Sequence, residues 1–112
     1  MIQSNIDFTS ARAAGEYAGN LAADRAEKVD PEFRARALDF IVGYIRQQGE
    51  ATGESATEAA IMAGITAPDA RAFGPVYAAA IKRGLIRVVG YVPRLRGHGS
   101  AGGKRYAPGH VG

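Results

Sequence analysis

The chain has 112 residues, 46% of them hydrophobic, and no cysteine. That length holds one domain with one modest core, and the missing cysteine excludes disulfides and thiolate metal sites. The net charge of +3 is uneven: residues 1–69 carry 6 Lys/Arg against 11 Asp/Glu, while residues 70–112 carry 8 Lys/Arg and no acid, which suggests one half that faces a polyanion.

Residues 1–8 read as a tail. Thr9 or Ser10 is placed to cap a helix over 10–29, with Ala14, Ala18, Leu21, Ala22 and Val29 as a weak apolar stripe. Gly15 and Gly19 cost it about 1 kcal/mol each relative to alanine, so it needs something to dock on. A small-residue face permits close helix approach. Self-association into a homodimer and ordinary packing on the domain are the two readings. The next helix, 32–48, opens at Asp30-Pro31, with Asp30 as the cap and Ala37, Leu38, Ile41, Tyr44 and Ile45 as its apolar face. Gly49 ends it.

In EATGESATEAAIMAGI two caps compete, Thr52 and a Ser55-x-x-Glu58 capping box. Either gives a helix to about Ala63 with Ala59, Ala60 and Ala63 inward and Ile65 plugging the core beyond it. Six residues, GITAPD, then lead to a helix over 69–83, whose face is Phe73, Val76, Tyr77, Ala80 and Ile81. Pro75 removes the hydrogen bond to the Arg71 carbonyl and predicts a kink there, the other reading being a helix that starts at Gly74-Pro75 after a turn. Gly84 stops this helix. A strand over 85–93 and a second near 104–107 flank RLRGHGSAGG, the tip of a β-hairpin.

The order helix, helix, turn, helix, strand, basic loop, strand resembles the winged helix-turn-helix domain over about residues 31–107. The run AGITAPDARAFGPVYAAAIKRGLIRVVGYVPRLR, with Phe73-Gly74, Gly84-Leu85-Ile86 and Gly90-Tyr91, is similar to small uncharacterised winged-helix proteins of bacteriophages and prophages. The resemblance implies a winged-helix domain over 31–107; with the tail and one extra helix read in residues 1–30 and a frayed 108–112, the chain is expected to be mainly α with a small β-hairpin, of the α+β class. The resemblance also implies a DNA-binding regulator in which helix 69–83 enters the major groove and the wing follows the adjacent backbone.

On that reading the residues that meet DNA are Arg71, Lys82 and Arg83 on the helix, Arg87 on the strand, and Arg94, Arg96, His98, Lys104 and Arg105 around the wing. Arg71, and to a lesser degree Lys82, carry the base readout, because alanines 72, 78 and 79 offer methyl contacts only. Double-stranded DNA is the expected partner. The rival is a protein-interaction module, such as a small phage protein that inhibits a host nucleic-acid enzyme, favoured by the alanine-rich face and Pro75.

Other chemistry finds little footing. His98 and His110 are the only histidines, which argues against a metal or cofactor site. GHGSAGGKR fails the phosphate-loop spacing at His98 and Arg105 and precedes a strand. Asp24, Glu27, Asp30, Glu32 and Asp39 lie among Arg25, Lys28, Arg34 and Arg36, the pattern of a solvated helix surface, and no serine or threonine stands near a credible base. An enzyme is not expected. No apolar run approaches the ~20 residues that span a bilayer, and MIQSNIDFTS has neither the basic start nor the apolar centre of a secretory signal. No membrane association and a cytoplasmic location are therefore expected.

Overall fold

Four α-helices, one 3₁₀ turn and three strands make up residues 2–92 and 103–110, the described residues of the computed structural model, with side chains described from residue 16 onward. They run α1 (Ile2–Val29), α2 (Phe33–Gln48), β1 (Ala51–Thr52), α3 (Gly53–Met62), the 3₁₀ turn Ala70–Phe73, α4 (Gly74–Lys82), β2 (Ile86–Tyr91) and β3 (Lys104–Pro108). The architecture is mainly helical with a small antiparallel sheet, of the α+β class, in strand order β1-β3-β2. The hairpin expected from sequence thus gains a third strand. β1 pairs Ala51 with Tyr106 and Thr52 with Arg105. Two residues are too few to show a strand's alternation, which is why the sequence pattern misses it.

α2 delivers the centre of the core. Phe33, Ala37, Ile41, Val42 and Ile45 are buried at helical spacing. They meet Ala56 and Ala60 of α3, Val76, Tyr77 and Ala80 of α4, and Ile86 and Tyr106 of the sheet. Phe33 meets Phe73 edge-to-face, centroids 5.3 Å apart. Tyr77 stacks on Tyr106 at 5.1 Å, and its hydroxyl donates to the Gly53 carbonyl at 2.8 Å and lies 2.8 Å from Thr57 Oγ1. One side chain therefore ties the start of α3, the middle of α4 and the central strand together. Burial pushes the Tyr77 hydroxyl well above its ordinary pKa, and that of Tyr106 to about 12. Both stay neutral across the physiological range.

Several elements differ from their predicted forms. α1 begins at Ile2, so residues 2–8, expected as a tail, are helical, and Thr9 and Ser10 lie inside the helix although both residue types favour caps; no glycine or proline interrupts residues 2–14. Its inward stripe is Gly19, Ala22, Ala23 and Ala26, whereas Leu21 and Val29 are exposed. A Cβ on Gly19 would sit 3.3 Å from both the Arg71 carbonyl oxygen and Pro75 Cδ. This small face is thus docked on the 3₁₀ turn and the start of α4, the packing alternative for this helix.

The acids of this region pair across the α1–α2 corner rather than along one helix. Arg34 reaches Asp24 and Glu27, and Arg36 reaches Asp30. Asp30, predicted as the cap, accepts from the Glu32 N–H, but the helix begins one residue later at Phe33, with Glu32 in the N-cap position and no side-chain cap bond.

Thr52 wins the competition to cap α3 by accepting from Ser55 N–H, and Ser55 Oγ bonds Tyr44 instead. The helix therefore turns Gly53, Ala56 and Ala60 inward and leaves Ala63 exposed, while Ile65 is buried as predicted.

Around Pro75 the helix does not kink. The chain makes a 3₁₀ turn capped by Asp69 and restarts as α4 with Pro75 in its first turn, where the missing N–H costs nothing. Ile81, predicted to be inward, is 38% exposed, on the flank of the buried face formed by Val76, Tyr77 and Ala80. Gly84 adopts φ 73°, the left-handed stop that only glycine takes cheaply. Pro108 and Gly109, predicted to fray, stay in the fold: Pro108 pairs with Ile86, and the Gly109 N–H donates to the Leu85 carbonyl.

Candidate nucleic-acid interface

Each predicted contact can be placed from its element upward. Lys82 and Arg83 are exposed at the C-terminal end of α4. Ala78 and Gly74, one and two turns earlier, are also exposed, so the open side of α4 is a narrow strip without hydrogen-bonding side chains until Lys82.

Arg71 is not on α4. It sits in the preceding 3₁₀ turn, and its Nε and Nη2 donate to Asp69 Oδ2 at 3.0 and 2.6 Å. Asp69 also accepts from the Arg71 backbone N–H at 2.9 Å. The guanidinium expected to read bases is therefore held by a carboxylate two residues away. An Asp two residues before an Arg at a helix start is the sequence signal for this local clamp.

The clamp sets a pH dependence. The hydrogen bonds from the Arg71 side chain and then its backbone hold the Asp69 carboxyl at about 2, below its ordinary 3.8. A lowered folded pKa means stability that is present above about 3.8 and lost as pH falls toward 2. The pair is well exposed, so its contribution is small. The gap in urea midpoint between wild type and Asp69→Asn should hold steady near neutrality and close between those two values. A gap that persists at pH 2 would assign the effect to something other than the charge.

The sheet divides the remaining bases. β2 and β3 pair Arg87 with Ala107, Val88 with Tyr106, Gly90 with Arg105 and Tyr91 with Lys104. Side chains alternate along β3, so Lys104 shares the face of Tyr106, which packs against α4 through Tyr77. Arg105 and Ala107 face the other way, and Arg87, opposite Ala107, goes with them. Arg87 Nε donates to the Pro108 carbonyl at 3.2 Å, and Arg105 lies 3.8 Å from Glu50.

The single basic face expected from sequence is thus split by the sheet. Lys104 is on the side of α4, and Arg87 and Arg105 are behind it. Arg94, Arg96 and His98 lie outside the described residues.

A groove between the end of α1 and the α3–α4 connection is lined by Ala26, Val29, Asp30, Gly64, Thr66, Ala67 and Pro68. Its one charged group, Asp30, is engaged with Arg36. Among the described residues no three His, Cys, Asp or Glu are grouped to hold a metal, and no helix is long and apolar enough to cross a membrane. No family model matches the chain, and no curated protein or solved structure is detectably similar to it.

Proposed function

We propose that this chain is a winged helix-turn-helix protein of the phage or prophage type that binds duplex DNA as a regulator of transcription or replication. The observation that supports it best is the placement of Lys82, Arg83 and Lys104. They bound the open side of α4 and the sheet face that carries α4, within a stretch from 70 to 112 that holds no acid. From Ile86 to Tyr91 the hairpin runs about 17 Å at ~3.3 Å per residue, long enough to reach from a groove-bound helix to neighbouring phosphates.

α4 approaches the major groove with its small side chains, and Lys82, Arg83 and Lys104 neutralise phosphates. Arg87 and Arg105, on the far sheet face, attract at a distance rather than by contact. Because the open side of α4 offers no hydrogen-bonding side chain before Lys82, binding rests on the backbone and is weakly selective among sequences.

The test is a fluorescence-anisotropy titration of pooled duplexes between 50 and 200 mM salt. Affinity should fall with a logarithmic slope of about −0.9 per neutralised phosphate. Lys82→Ala/Arg83→Ala should make that slope shallower by about two units. Absence of salt-dependent binding to any duplex would overturn the reading.

A second reading, an interface for an acidic protein, is favoured by the clamp on Arg71 and by exposed Met62 and Ile61 on α3. It becomes the better one if no duplex binds.

A further inference from the structure

The hairpin contains one irregularity. Between the pairs Val88–Tyr106 and Gly90–Arg105, β2 advances two residues while β3 advances one, so Val89 is a bulge. In an unbroken strand Tyr91 would share the face of Arg87 and Val89. The extra residue reverses this. Tyr91 falls opposite Lys104, and Lys104 lies two residues from Tyr106, so both occupy the sheet face that carries α4. Tyr106 there is buried under Tyr77, yet Tyr91, beyond the edge of the helices, is 77% exposed. A large aromatic with a polar tip is thus turned to the side of α4, left uncovered, and placed directly across from a lysine.

We propose that Tyr91 and Lys104 together hold one sugar–phosphate unit of a bound duplex, Tyr91 donating its phenol hydrogen to a phosphate oxygen and packing its ring on the sugar, Lys104 neutralising the phosphate. This rests on the duplex-binding reading and adds to it a residue, Tyr91, whose role follows from the bulge. Tyrosine hydroxyls and lysines are both ordinary phosphate contacts. Cross-strand partners stand about 5 Å apart, close enough for two such side chains to share one phosphate. The acid-free sequence on both strands leaves nothing on the hairpin to repel that phosphate. Such a contact positions the duplex and carries no base readout.

The test uses the full chain and the anisotropy assay. Tyr91→Phe keeps the ring and removes the hydroxyl, and it should weaken binding about fivefold to tenfold for every duplex alike. Lys104→Ala should make the salt slope shallower by about one unit. Because both groups serve one phosphate, the double variant should lose less than the product of the two single losses. Tyr17→Phe, an exposed tyrosine on α1, should bind as wild type.

Wild-type binding that Tyr91→Phe leaves unchanged would overturn the inference while the duplex reading stands, as would independent losses in the double variant. Absence of binding by the wild type would instead remove the duplex reading itself.

Discussion

Replacing Phe33 with alanine should destabilise the protein by about 3–5 kcal/mol, measured as the shift in urea unfolding free energy. Phe33 is fully buried at the first turn of α2 and meets the ring of Phe73 edge-to-face. Its removal loses the transfer free energy of the ring, the aromatic pair and the packing of the 3₁₀ turn that leads into α4. A domain at the lower end of ordinary stability, about 5 kcal/mol, would be brought near its unfolding midpoint at room temperature.

Ile41, 0% exposed, should follow with about 2–5 kcal/mol for its alanine variant, whereas Ile81, 38% exposed, should cost below about 1 kcal/mol. Equal losses at Ile41 and Ile81 would mean that α4 is rotated from the arrangement described.

Gly109→Ala is the second large effect. A methyl at this position would run into the Gly84 carbonyl, a backbone atom that cannot swing aside. The strand end would have to withdraw, at the expense of the Gly109 N–H bond to the Leu85 carbonyl and the Ile86–Pro108 pair. Overpacking of this kind costs about 1–3 kcal/mol and at times more. Gly43 is the control, since a Cβ there meets nothing within 4 Å. Gly43→Ala should be neutral or slightly stabilising, because alanine is the better helix former. A Gly109→Ala variant as stable as Gly43→Ala would mean that the chain beyond β3 does not lie against the α4–β2 turn.

The helices were legible in the sequence because their apolar residues repeat at a helical period and their ends carry chemistry. Thr52, Gly49 and Gly84 act as start or stop signals in the fold, whereas the Asp30 carboxylate accepts its backbone bond from Glu32, in the turn ahead of α2. The core face of α2 follows directly from that period. Less legible were features decided by tertiary neighbours. Whether α1 turned Leu21 or Ala23 inward depended on a groove too tight for anything beyond a methyl, as the contact of Gly19 with Pro75 shows. β1 needed β3 to exist. The site suffered more. Strand alternation alone puts Arg87, Val89 and Tyr91 together, and the bulge overrides it. The isolated Gly90 inside a strand pattern was the available signal, because such a glycine often marks a bulge. The Asp69–Arg71 clamp had only the two-residue spacing as its signal, and the rotamers of both side chains complete it.

The sheet order β1-β3-β2 has a consequence for how the molecule is made. Its middle strand is the latest in sequence. As the chain leaves a ribosome, β1 and β2 emerge first and find no partner in each other, since neither touches the other in the finished sheet. The helices, whose contacts are nearer in sequence, can condense while residues beyond 92 are still being added. Only when Lys104–Pro108 has cleared the exit does a single segment zip into both neighbours at once, closing one short loop to β2 and one long loop to β1. Tyr106 then slides under Tyr77, and the hairpin proposed to grip DNA is completed in the same event. Until that moment the nascent protein has two unsatisfied strand edges and no gripping surface. Insertion of β3 covers one edge of each strand, and the outer edges of β1 and β2 stay as the two edges of the finished sheet.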